Sequence, residues 1–193
     1  MSHITPQLLS YLCLLCCQDA ENYSIPLNLT DNAYSSRTFK EASSQIMTIL
    51  ATETVTMNNH EKGIWTEHFL ATNELTSFYN VLSNNNDRQG NEFVSTLEAF
   101  DYPIYGNQWH PEKNPFEWQK NADGTPYEDI NHSYHAILTS SSMGQFFVNE
   151  TRKNFHAFKT PADEDAALIT NYKTTKTTGS FVETYFFSNS FGL

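Results

Sequence analysis

The chain has 193 residues, 39% of them hydrophobic and 17% charged, enough for one domain with its own core. Eleven Lys and Arg stand against 22 Asp and Glu, a formal net charge of −11. That balance argues against nucleic-acid binding, which needs clustered cations to neutralise phosphates, and against docking on anionic membranes. Seven Gly and seven Pro are too few for a low-complexity or fibrous chain, and no apolar run is long enough to span a bilayer.

The first apolar run is LLSYLCLLCC, residues 8–17, which holds Cys13, Cys16 and Cys17. It reads either as the core of a secretory signal lacking its positively charged leader or as a buried helix of the domain. The cysteines have neither a disulfide framework nor metal-ligand spacing, and read as small apolar residues. Asn-x-Ser/Thr sequons occur at Asn22, Asn28, Asn131 and Asn149, about the number that chance supplies, so they say nothing of secretion.

Further along, Phe39, Ile46, Ile49 and Leu50 predict a helix over residues 37–53, packed by one face. Leu75, Phe78, Tyr79 and Leu82 follow i, i+3, i+4, i+7 spacing and predict a helix over 72–82, with Thr72 or Asn73 as its cap. SNNNDRQGN, residues 83–91, reads as a loop. EFVSTLEAF (92–100) and YPIYGNQWH (102–110) read as two strands with a tight connection, and 115–127 as an irregular loop. Met143, Phe146 and Phe147 mark one side of a helix over 140–155, whose basic end at Arg152 and Lys153 suits the helix dipole. SFVETYFF, 180–187, reads as a closing strand. Strands alternating with helices predict an α/β architecture.

The chemistry concentrates in QWHPEK, residues 108–113. Pro111 restricts His110 to extended backbone. Side chains two apart in extended chain share a face, so His110 and Glu112 point together and Trp109 points away. A carboxylate beside an imidazole fixes its tautomer and stabilises its protonated form, the orienting role in a nucleophile–base–acid triad. Taken bare, His-Pro-Glu also fits a surface pair at a strand end.

YPIYGNQWHPEKNPFEW (102–118) resembles the histidine motif of γ-glutamyl hydrolases, the folylpolyglutamate-cleaving branch of the class I glutamine amidotransferase-like fold. IPLNLT, SSRTF, NNHEKGI, FYNVLSNNND, EFVSTLEAF and FFVNETRKNFHAF resemble further family segments in the same order, so the resemblance covers residues 7–187. It implies a flavodoxin-like, three-layer αβα fold without its N-terminal half. Residues 1–193 would form a single partial domain, with 1–6 outside the resemblance and 188–193 a tail. It also implies His110 as general base and acid, Glu112 as its orienting carboxylate, and His60 lining the substrate cleft. Arg37 and Lys113 are cationic candidates for the carboxylates of a glutamate tail, though residues of this kind are more often simply solvated surface charges. No metal or organic cofactor is implied. The implied substrate is a small γ-glutamyl molecule, a homodimer stays open, and family members are lysosomal, vacuolar or secreted. His3, His68, His132, His135 and His156 match no functional position.

One departure matters. The family's nucleophile sits in a Gly-x-Cys-x-Gly elbow just before the helix that QLLSYL (7–12) resembles. In that register about His3 stands at the cysteine position, and Cys13, Cys16 and Cys17 fall within or after the helix. The register favours a helix over a signal for 8–17. It also predicts no nucleophile, no useful activity of the chain alone, and poor solubility from an unpaired sheet edge. The alternatives are a non-catalytic paralogue that binds γ-glutamyl ligands or a partner, and a glutaminase domain, which PFEW and FFVNETRKN disfavour.

Overall fold

The computed structural model describes residues 15–177 and 183–187. The chain divides into two compact units, Met1–Arg152 and Lys153–Leu193.

The first unit opens on a strand. β1 (Leu15–Ile25) runs antiparallel to β3 (Thr56–Ile64), Leu15 facing Ile64 and Ile25 facing Thr56. The helix expected over 8–17 is therefore corrected at Leu15–Cys17, while residues 8–14 lie outside the described residues. A short apolar run does not distinguish strand from buried helix, and here pairing with a segment some forty residues later decides it. Cys17, expected to be buried, is exposed opposite Lys62. The pairing slips twice between Cys17 and Tyr23, and Asn22 absorbs the irregularity with a left-handed φ of 50°, a region that Asn tolerates better than most residues.

A second sheet has the order β2-β4-β5-β6, formed by Asn28–Leu29, Tyr79–Asn86, Glu92–Ala99 and Tyr105–Asn107. An isolated bridge between Trp65 and Phe93 ties the end of β3 to β5. The helices of this unit are α1 (Ser44–Thr52), α2 (Thr66–Leu70), α3 (Asn73–Thr76), α4 (Lys113–Phe116) and α5 (Tyr134–Thr151). Helices mixed with open sheets give the α/β class expected; every strand pairing among the described residues is antiparallel.

Two expected elements change character. The helix predicted over 72–82 stops at Thr76, and Tyr79 begins β4 instead. The apolar spacing fits both periods, and pairing of Val81 with Leu97 and of Tyr79 with Ala99 selects the strand. The loop predicted over 83–91 is strand as far as Asn86. Buried Asn85 remains in it because its amide donates to the Pro26 carbonyl at 2.6 Å. The turn proper is short: the Asp87 carboxylate accepts the N–H groups of Gln89 and Asn91, and Gly90 takes a φ of 87°.

α1 starts at Ser44 because the Ser43 hydroxyl caps the Ile46 N–H; residues 37–42 ahead of it form turns and a bend rather than helix. Its buried face, Ile46, Met47, Ile49 and Leu50, packs with Leu27, Phe39, Val55, Leu82 and Trp109 and with Ala136 and Met143 of α5. Ser43→Ala is expected to cost about 1 kcal/mol through the lost cap, read from urea unfolding midpoints. α5 begins earlier than predicted, because Ser133 caps the Ala136 N–H at 3.3 Å. Its buried stripe is Ala136, Thr139, Ser140 and Met143, which leaves Phe147 exposed.

The second unit holds α6 (Pro161–Ala167), capped by Thr160, and a hairpin of β7 (Thr174–Lys176) with β8 (Glu183–Tyr185). The closing strand predicted over 180–187 is described here only in part, residues 180–182 lying outside the described residues. No helix among the described residues is long and apolar enough to cross a membrane.

Candidate active site

The site is built outward from a buried indole. Trp109 lies in the core, and its Nε1 donates to Thr96 Oγ1 of β5 at 3.1 Å. The next residue hangs from the other sheet, where the His110 N–H donates to the Met57 carbonyl of β3 at 2.8 Å. Fixed on both sides, the segment turns His110 and Glu112 outward together. His110 Nδ1 stands 2.7 Å from Glu112 Oε1. The spacing predicted this pairing along extended chain, but Glu112 has φ −75° and ψ −22°. The pair closes across the turn that opens α4.

A hydrogen bond from His110 holds the Glu112 carboxyl below the usual carboxylate range, overcoming partial burial. An ionised Glu112 accepts the Nδ1 proton, so the neutral imidazole presents Nε2 as its free lone pair. The His110 side chain is 37% exposed, and Nε2 has no hydrogen-bond partner among the described residues.

His60 comes from β3, where it pairs with Ala20. The residue is 9% exposed, and its ring meets Phe93 edge-on at 5.1 Å. Asn58 donates its amide to the Tyr23 and Thr56 carbonyls, which turns its Oδ1 toward His60 Nε2 at 3.2 Å. Nε2 therefore carries the proton, and Nδ1 is buried without a protein partner. Burial first, then repulsion from His110, push its pKa down to about 4 against the attraction of Asp87. His60 is neutral at physiological pH and electrostatically coupled to His110.

The two cationic candidates are both engaged within the protein. The Lys113 ammonium sits 2.7 Å from Glu117 and 2.7 Å from Glu128. Burial opposes its charge, yet the hydrogen bonds to the two carboxylates outweigh burial and hold its pKa above the lysine norm. Glu128 also accepts from Asn59 of β3 at 2.8 Å, so Lys113 ties its loop to the strand carrying His60. The Arg37 guanidinium donates to the carbonyls of Ala99 and Tyr102, lies 4.0 Å from Glu98 and covers the Tyr105 ring at 5.5 Å. The sequence reading missed Asn58, Asn59 and Glu128. Asn58 was within reach, since it stands two positions before His60 on a strand and shares its face.

A cavity of about 760 Å³ opens beside Glu112, between β6 and α5, with Tyr105, Phe116, Met143 and Phe147 among its walls. Among the described residues no group of three His, Cys, Asp or Glu is placed to hold a metal ion.

No family model matches the chain. It is 46% identical over 167 residues to gamma-glutamyl hydrolase B of Dictyostelium discoideum, covering 86% of this chain and 46% of that protein. It is 40% identical over 182 residues to the human gamma-glutamyl hydrolase, covering 93% and 55%. It is 35% identical over 160 residues to gamma-glutamyl hydrolase 1 of Arabidopsis thaliana, covering 81% and 43%. The chain spans about half the length of these curated relatives. On this similarity the chain is homologous, over most of its own length, to γ-glutamyl hydrolases.

Proposed function

We propose that the chain supplies the base half of a cysteine-type γ-glutamyl hydrolase site. The observation that carries this reading is the 2.7 Å bond from His110 Nδ1 to Glu112 on a histidine side chain that is 37% exposed. In the reaction a thiolate adds to the γ-glutamyl amide carbonyl, and imidazolium His110 gives its Nε2 proton to the departing amine as the C–N bond breaks. His110 then takes a proton from water, whose oxygen displaces the thiolate from the thioester. Glu112 holds the ring in register and stabilises the imidazolium at both steps. The nucleophile comes from outside the described residues, and no cofactor is required. Poly-γ-glutamylated folates are the substrate, and a lysosome, vacuole or secreted fluid the setting.

The test is a graft. The 167 matched residues of this chain replace their counterparts in the Dictyostelium protein, and release of glutamate from a γ-glutamyl peptide is followed. Turnover that His110→Ala abolishes supports the proposal. A folded graft that binds the peptide without cleaving it sinks the proposal and favours the non-catalytic alternative.

A further inference from the structure

Asn58 is fully buried on β3, on the same face as His60 two positions on. A polar side chain in such a place has to meet its hydrogen-bonding capacity inside the protein. Its amide nitrogen donates to the main-chain carbonyls of Tyr23 on β1 and Thr56 on β3, at 3.3 and 3.2 Å. Carbonyls only accept, so turning the amide over would set oxygen against oxygen. The backbone thereby fixes which way Asn58 points, and its remaining polar atom, Oδ1, stands 3.2 Å from His60 Nε2. An apolar residue of similar volume would satisfy the packing; what the amide adds is this bond.

The bond decides more than an orientation. With Nε2 committed to donating, a second proton on His60 has to go to Nδ1, which is buried and has no hydrogen-bond partner among the described residues. The charged form is left without the hydrogen bond that would support it. Two ionisable groups act on the ring from other elements: His110, just ahead of α4, opposes its charge, and Asp87 of the β4–β5 turn favours it. Asp87 acts through space only, its carboxylate being taken up by the N–H groups of Asp19, Gln89 and Asn91. We propose that Asn58 is a positioning residue: it locks His60 as the Nε2–H tautomer and so keeps that histidine uncharged while His110 gains and loses its proton. A positive His60 would repel the imidazolium that His110 has to become. The tautomer and charge of His60 stand on this geometry; only their benefit to catalysis rests on the reading of His110 as a base.

The experiment follows the histidine ring nitrogens of the isotope-labelled full chain by NMR across the range in which histidines titrate. In the parent, His60 is expected as the Nε2–H tautomer alone. Asn58→Asp keeps the size and the acceptor but sets a carboxylate against Nε2–H, which stabilises the imidazolium. It should raise the His60 pKa by about one unit or more and, because the coupling is reciprocal, lower that of His110. A purely structural Asn58 would instead give a less stable protein in which both histidines titrate as before. Asn58→Ser covers the case in which the aspartate does not fold: it offers Nε2 no fixed acceptor, so the Nδ1–H form of His60 should appear beside the other. The inference is overturned by an Nδ1–H or mixed His60 in the parent, by a tautomer that Asn58→Ser leaves unchanged, or by an Asn58→Asp chain in which either histidine fails to shift. In the hydrolase graft carrying Asn58→Asp, the limb of the kcat/KM profile that belongs to His110 should move to lower pH with it. Ring titrations that shift as expected beside an unmoved limb uphold the positioning of His60 and overturn the reading of His110.

Discussion

His110→Ala in the grafted hydrolase is expected to lower kcat by roughly 10⁶, the scale set by loss of the triad base in a serine protease. The reason is geometric. Nδ1 is engaged by Glu112, so Nε2 is the ring nitrogen left for a substrate, and in the proposed reaction it delivers the proton to the amine and takes it from water. Truncation leaves Trp109 bonded to Thr96 and buried, so the loop keeps its anchor and the loss should fall on kcat rather than on folding. Glu112→Gln tests a different property. Its amide can still touch Nδ1, but it carries no charge to stabilise the imidazolium and can present a donor where an acceptor is needed. A loss of about 10⁴ is expected, the size seen when the corresponding aspartate becomes an amide in a serine protease. Circular dichroism of both variants should match the parent. A Glu112→Gln graft with unchanged kcat would falsify the orienting role.

How far the site was legible depends on how local its determinants are. His110 and Glu112 are two residues apart, so their pairing could be read from spacing alone, and only the backbone path between them differed. Lys113 shows the limit. Its bond to Glu117 follows helical i, i+4 spacing, but Glu128 arrives through a loop that no short-range pattern defines. The same boundary runs through the fold. Ile46, Ile49 and Leu50 of the predicted stripe lie on α1 and the strand over 92–99 formed in the span expected, while Phe39 stays outside the helix. β4 did not, because Leu75, Phe78, Tyr79 and Leu82 satisfy a helical period while their neighbours satisfy a strand, and only β2 and β5 on either side resolve it. Asn84 and Asn85 look like loop residues until the pairing is known; the bond from the Asn85 amide to the Pro26 carbonyl offsets part of the cost of burying it in a strand, while its Oδ1 is left without a partner. Cys17 is exposed for a reason that likewise lies elsewhere, in the register of β1 against Lys62.

Acid should unfold the first unit early, and His60 should be the cause of a measurable part of it. An unfolded histidine titrates near 6.5, whereas His60 in the native chain does so at about 4. Between those values the unfolded chain takes up a proton that the native one refuses, so stability is full above about pH 6.5 and declines as pH falls toward 4. At about 1.4 kcal/mol per pH unit, the decline over this window approaches 3 kcal/mol. Other groups act in the same direction at lower pH. Asp87 and Glu112, both held below the usual carboxylate range, lose their contribution mainly below about pH 4.5. His60→Gln separates the two. Glutamine can still donate to Asn58 Oδ1 as the Nε2–H does, but it does not titrate. The variant is expected to be less stable than the parent at pH 7, where the packing of the ring on Phe93 is lost. The gap should close by about 2–3 kcal/mol on going to pH 4.5, read from urea unfolding free energies of the two proteins at both pH values. Parallel pH profiles would mean that His60 takes up its proton without resistance. The pocket formed by Phe93 and Asn58 would then be far wetter than its burial implies.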